Sequence, residues 1–168
     1  MKITKHFFLI VLSTLFLVSC GDKKKKKEVL AYEMKPVASK VVANISNDVV
    51  ITANDNMKFD KRQIRVHSGQ KVKLTFKHIG KMDKQIMGHN FVLLKKGVHL
   101  VTFGIEASKA RKTEYIPAGT EDVIAYTKLL GGGETDVIEF EAPEKGTYEF
   151  LCSFPGHYAM MKGKFIVE

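Results

Sequence analysis

Ten residues near the C-terminus constrain this chain more than any others. Cys152-Ser153-Phe154-Pro155-Gly156-His157-Tyr158-Ala159-Met160-Met161 carries a thiol, an imidazole and a thioether on one short loop, with Pro155-Gly156 turning the chain between the first two. A soft thiolate, a borderline imidazole and a weak thioether together suit copper better than other common metals. Such a site wants a second histidine, and the best candidate lies far upstream in Met87-Gly88-His89-Asn90. Any fold the chain adopts has to close these two distant loops on each other.

From Asp48 onward the hydrophobic pattern has period two. Val49 and Ile51 alternate with polar positions, and Val72, Leu74 and Phe76 do so cleanly in Lys71–Lys77, the pattern of a strand with one buried face. Phe91–Leu94 is a short apolar run that fits a strand buried on both faces. Val123–Tyr126, Val137–Phe140, Tyr148–Cys152 and Phe165–Val167 continue the series, separated by Ser68-Gly69, Gly131-Gly132-Gly133, Pro143–Gly146 and Pro155-Gly156. Many short strands with turns between them predict an all-β, antiparallel Greek-key sandwich. The rhythm breaks around 99–120, where Ile105–Lys112 holds helix formers, so a short helical insertion is expected there. Alternation also places Cys152 on the same side as Tyr148 and Phe150, with its sulfur aimed into the end of the sandwich. A thiolate buried there needs a metal, because burial without a partner disfavours the charged form.

The N-terminus reads differently. Residues 1–6 are basic and 7–18 are an unbroken run of apolar and small hydroxyl residues, a signal-peptide pattern too short for a comfortable membrane span. It ends in Leu17-Val18-Ser19-Cys20-Gly21, which resembles the lipobox of bacterial lipoproteins, where the cysteine becomes an acylated N-terminus. Several acyl chains on one residue anchor stably. An acylated Cys20 cannot pair with Cys152, the only other cysteine. Expected domains are therefore a signal peptide over 1–19, a lipidated Lys-rich tether over 20–47 and a folded domain over 48–168. As a flexible chain, 21–47 would hold the domain on the order of 30 Å from its anchor.

The formal charge of +9 is concentrated in these accessories. The leader contributes +2 and residues 20–28 contribute +3, leaving +4 over 29–168, where 20 Lys and Arg are scattered among 16 Asp and Glu. With no recognisable binding motif, that distribution gives no support to nucleic-acid binding.

Met87-Gly88-His89-Asn90 together with Cys152-x-Phe154-Pro155-Gly156-His157-x-x-x-Met161-Lys162-Gly163 closely resembles the azurin family of blue-copper (cupredoxin) proteins. The likeness runs over roughly 48–168 and includes Asn54-Asp55-Asn56-Met57, His78-x-Gly80 and Thr127–Gly131. The resemblance implies one type 1 copper per chain. His89, Cys152 and His157 would form a trigonal plane, with Met161 as a long axial ligand and the Gly88 carbonyl opposite it. Asn90 would tie the two ligand loops together, with Ser153 receiving it. The chain also departs from the family: the usual early disulfide is missing, its positions being Asn47 and Gly69, so the first strand is expected to be held by packing alone. Phe91 stands where many relatives carry Trp, and Tyr126 where some carry His.

The remaining candidates are assigned to packing or surface. Met57, Met87 and Met160 fit packing near the site, His67 and His99 fit the surface or rim, and His78 is given no ligand role. The expected function is single-electron transfer outside the cytoplasm by a membrane-anchored, non-enzymatic copper lipoprotein, periplasmic or on the cell-surface face of a membrane. Its partners would be c-type cytochromes, or copper or haem reductases and oxidases. Phe154, Pro155, Gly156, Tyr158 and Ala159 would form the docking rim, with His157 as the electron exit. The rival expectation is a copper-binding or copper-delivery lipoprotein without redox cycling.

Overall fold

The computed structural model describes residues 45–168. The expected signal peptide, Cys20 and nearly all of the expected tether lie outside the described residues.

Nine strands build two stacked sheets. The first contains β1 (Asp48–Asn54), β2 (Lys58–Phe59), β4 (Lys71–His78) and β7 (Thr135–Glu141) in the order β2-β1-β4-β7. The second contains β3 (Gln63–Val66), β5 (Val92–Leu94), β6 (Val123–Tyr126), β8 (Gly146–Leu151) and β9 (Lys162–Val167) in the order β3-β9-β8-β5-β6. The all-β expectation holds, and β1, β4 and β9 set their phase as the alternation requires. Val49, Ile51 and Ala53 of β1, Val72, Leu74 and Phe76 of β4, and Phe165 and Val167 of β9 turn inward and are buried. Phe59 and Phe150 meet edge-to-face across the two sheets at 5.5 Å.

The sheets are mixed rather than antiparallel throughout. β1 runs parallel to β4, with Ile51 opposite Phe76, and β3 runs parallel to β9. Inside/outside alternation is the same in either sense, so it carries no information about direction. The route of the chain decides it. β3 descends in the second sheet before β4 returns to the first, and this brings β1 and β4 together pointing the same way.

The helical insertion is present but begins earlier than its helix formers suggested. Helix α2 spans Leu100–Ala107, followed by a 3-10 turn at Arg111–Thr113. His99 caps its start by accepting from the Thr102 N–H. Leu100, Phe103, Gly104 and Ala107 are buried on one side, the i, i+3, i+4, i+7 stripe of a surface helix. They cover Val92, Leu94 and Leu151 on the outer face of the second sheet, while Leu93 faces the central core. This is why the Phe91–Leu94 run is apolar at every position. A further single turn, α1 (Lys84–Met87), capped by Asp83, leads into the first ligand loop. Among the described residues, no helix is long and apolar enough to cross a membrane.

Packing alone does not hold the entry to β1. Asn47 donates from its side chain to the His67 carbonyl at 3.1 Å and accepts from the His67 N–H at 2.9 Å. The side-chain amide thus ties together the two segments where the family resemblance leads one to expect a disulfide. Asn47→Ala removes both bonds from a half-buried position and should lower unfolding stability by about 1–2 kcal/mol. Urea denaturation with an unchanged midpoint would show that the clasp is dispensable.

Candidate metal centre

The strand phases that build the core also deliver the site. In β4 the inward series Val72, Leu74, Phe76 ends at His78, and in β8 the series Tyr148, Phe150 runs on to Cys152. Both series end at the same end of the sandwich. His89 and Asn90 enter there from the loop after α1, and His157 from the loop after β8. The six buried polar side chains among the described residues are His78, His89, Asn90, Thr127, Ser153 and His157, and all lie at this end. Buried polar groups need partners, and none of the buried side-chain nitrogens or oxygens among the described residues lacks one.

Three donors converge. His89 Nδ1 lies 3.1 Å from His157 Nδ1, and the Cys152 Sγ lies 3.8 Å and 3.7 Å from those two nitrogens. His89 and Cys152 are fully buried and His157 is 4% exposed. A point equidistant from these three atoms sits about 2.1 Å from each, inside the range of about 2.0–2.3 Å that imidazole nitrogen and thiolate sulfur take to a first-row divalent metal such as zinc. The donor set therefore fits a metal, and its mixture of thiolate and imidazoles fits copper.

Local bonds prepare the donors. His89 Nε2 lies 2.9 Å from the Asn54 carbonyl; a carbonyl only accepts, so Nε2 carries the hydrogen and the Nδ1 lone pair faces the cluster. His78 stacks on His89, ring centroids 4.5 Å apart and 23° from parallel. Its own orientation is fixed at both nitrogens: Nδ1 accepts from the Gly80 N–H, and Nε2 donates to the Met87 carbonyl at 2.9 Å. His78, expected near the site but not as a ligand, is aimed inward by the β4 alternation and packs behind a ligand instead. His157 is sandwiched between His89 and Phe154, at 4.9 Å and 4.6 Å. Phe154 also meets Tyr115 edge-on and is only 8% exposed. It therefore backs the site instead of forming part of an exposed rim.

The two ligand loops are locked by Asn90 and Ser153. The Asn90 side-chain N–H donates to Ser153 Oγ, and the Ser153 backbone N–H donates to Asn90 Oδ1, both at 2.8 Å. Gly88 is pressed against the site: a Cβ there would meet the Lys84 carbonyl oxygen at 2.5 Å and the Leu129 side chain at 3.0 Å. Its carbonyl oxygen lies 3.9 Å from the Cys152 sulfur. Met161 is fully buried; its N–H donates to the His157 carbonyl, and its own carbonyl accepts from the Cys152 N–H. Met57 and Met87 are half-buried, Met160 is 52% exposed, and His67 and His99 lie at the surface.

Burial dominates the protonation of the metal-free cluster. Desolvation pushes the Cys152 thiol up to about 12, against a weaker opposite pull from the Asn90 and Phe154 N–H groups. Desolvation brings both His89 and His157 down to about 4. Between these limits the imidazoles are neutral, each able to offer one ring nitrogen without net proton loss, and only the thiol must give up a proton to a metal. Adding Cu(II) to the metal-free chain between about pH 6 and 9 should release one proton per copper, with apparent affinity rising as pH rises. Proton release near zero in a weakly buffered titration would contradict the neutral-thiol site.

The chain matches the model of the copper binding proteins, plastocyanin/azurin family, over residues 45–168. It is 43% identical over 122 residues to the azurin of Alcaligenes faecalis, which covers 69% of this chain and 94% of the relative. It is 40% identical to azurin-1 of Alcaligenes xylosoxydans xylosoxydans, across 68% of this chain and 92% of that protein. Among solved structures, auracyanin from the photosynthetic bacterium Roseiflexus castenholzii superposes with a TM-score of 0.68 at 36% identity, covering 74% of this chain and 98% of the other. An azurin of Methylomonas sp. strain J gives 0.66 at 32% identity, over 72% and 97%. With a sandwich of the same kind and a buried His-Cys-His cluster that suits one type 1 copper, the chain belongs to the plastocyanin/azurin family of copper-binding proteins.

Proposed function

We propose that this blue-copper electron carrier works outside the cytoplasm on a membrane tether, and that its copper would be held by His89, Cys152 and His157, with Met161 and the Gly88 carbonyl as weaker donors. The observation that carries the reading is the convergence of three buried donors, with both imidazoles neutral, about a point of metal-bonding radius. Copper bound there would pass single electrons by alternating between Cu(II) and Cu(I).

The chain's own residues serve that exchange by staying in place. Asn90 and Ser153 hold the two loops at a fixed separation, and the Asn54 carbonyl and the His78 ring fix His89. Contacts of this kind orient ligands and tune a metal. A donor set that does not rearrange suits either oxidation state, which favours fast exchange. His157 is the donor residue nearest the surface, beside exposed Pro155, Gly156 and Ala159, and we assign electron exit to its ring edge. Partners would be redox proteins such as c-type cytochromes, or copper or haem reductases and oxidases, met in small transient contacts.

Complete burial of His89 and Cys152 favours retention of the metal over delivery. No open coordination position with an adjacent acid or base is expected at the cluster, so the role is carriage and not catalysis. The tether rests on the sequence: the signal-like run over 7–18, Cys20 directly after it, and the lysines at 23–27.

Copper(II) added to the metal-free protein should produce an intense blue thiolate-to-copper absorption band, and Cys152→Ser should abolish it. A colourless wild-type protein, or a band that survives the substitution, would sink the copper assignment. The tether is tested separately. Cells given radiolabelled palmitate should label the wild-type chain and not Cys20→Ala, and that variant should leave the membrane fraction. Equal labelling of the two would remove Cys20 as the anchor.

A further inference from the structure

Five segments reach the end of the sandwich that holds the donor cluster: 54–62, 77–90, 108–116, 126–136 and 152–162. They carry eleven Lys and Arg against six Asp and Glu, whereas the rest of 45–168 carries seven against nine. The domain is therefore polarised, with its positive pole at the copper site.

The disposition of the six acids sharpens this. Every one of them accepts a backbone N–H. Asp55 takes Lys81 and Met82, Asp60 takes Thr52, Asp83 takes Gln85, Glu114 takes Leu129, Glu134 takes Gly131, and Asp136 takes Lys128, at 2.7–3.3 Å. None of the nine acids elsewhere among the described residues has a side chain that accepts a backbone N–H in this way. The Lys81 N–H holds Asp55, and the Gly131 N–H holds Glu134, below the usual carboxylate range. At the copper end the carboxylates are brackets for the loops, folded back onto the chain. The cations are not. Of the eleven, only Lys61 and Lys84 form ion pairs among the described residues, with Asp60 and Glu134. Lys81, Arg111, Lys112, Lys128 and Lys162 are all exposed. At the same end, Met82, Ile86 and Met160 are exposed at 37%, 63% and 52%.

We propose that this end docks a redox protein whose cofactor edge is ringed by carboxylates, because its own acids are pinned to loop amides while its lysines and arginines stay exposed on loops that also expose apolar side chains. The proposal rests on the electron-carrier reading and adds the charge of the partner. Fields of this kind act on encounter: opposite charges raise the association rate and orient the approach, and salt screens the effect. The exposed Met82, Ile86 and Met160 side chains would then supply the short-lived contact, as in small redox interfaces.

The test uses the full chain, copper-loaded, in an uncharged detergent. Electron exchange is followed by stopped flow against hexacyanoferrate(III), an anion, and tris(phenanthroline)cobalt(III), a cation, and then against c-type cytochromes with acidic and with basic haem-edge faces. Raising ionic strength should slow the anionic and acidic reactants by about threefold or more and speed the cationic and basic ones. Combined Lys81→Glu, Arg111→Glu, Lys112→Glu and Lys128→Glu should reverse those slopes with the blue band intact. Lys95→Glu with Lys145→Glu, at the opposite end, should leave them unchanged. Exchange that proceeds with the same salt dependence for both signs of reactant overturns the charge proposal and leaves the carrier reading standing. Absence of exchange with every reactant removes both. Flat slopes, with capture by phosphatidylglycerol vesicles that the fourfold variant abolishes, would assign the face to lipid and overturn the proposal.

Discussion

The reciprocal hydrogen bonds between Asn90 and Ser153 are the constraint on which the rest of the structure depends. They join residues 63 positions apart and leave neither side chain nor the Ser153 N–H unpaired in a dry interior. A buried polar network is costly when partly satisfied and rigid when complete. Completion here fixes the separation of the two loops, and with it the separation of the two imidazoles and the sulfur. The sheets serve this closure. β4 and β8 run out of apolar positions at the same end, and the residues that continue their inward phase are His78 and Cys152.

The energetics of the site follow from burial. Desolvation alone would leave two neutral rings and a thiol facing one another at 3.1–3.8 Å. At 3.1 Å the two ring nitrogens are within hydrogen-bond distance, and one neutral ring can donate its Nδ1 hydrogen to the lone pair of the other. A metal would replace that contact with bonds to all three donors, which the fold already holds in nearly final positions. His78 adds a layer behind His89, and Phe154 adds one behind His157, so neither ring has room to swing. Rigidity of this kind comes from packing density.

Most of this was legible in the sequence where side-chain period is informative. The inward phases of β1, β4, β8 and β9, the doubly buried Phe91–Leu94 run and the direction of Cys152 all follow from alternation. What alternation cannot carry was missed. The parallel pairing of β1 with β4 depends on chain routing. The start of α2 at Leu100 was obscured by Val101, Thr102 and Gly104, which are poor helix formers, and was set by the His99 cap and the buried stripe. The stacking of His78 on His89 follows from a phase that ran one residue past the apolar series. Asn47 looked like the loss of a covalent brace, because a side-chain amide that spans two segments has no signature in one dimension. The same holds for the six acids that bracket loop amides. In sequence they look like scattered charge.

The Asn47–His67 clasp also bears on how the protein matures. A domain braced by a disulfide must have two thiols oxidised correctly while a metal-binding thiol is kept out of the exchange. Here Cys152 is the sole cysteine among the described residues, and the brace is an amide that no reductant can open. Folding of the domain thus requires no oxidase and no isomerase to sort its thiols, and its integrity is indifferent to the redox poise of the compartment where it works. Among the described residues, the copper-binding sulfur has no second thiol on which to be spent before copper arrives.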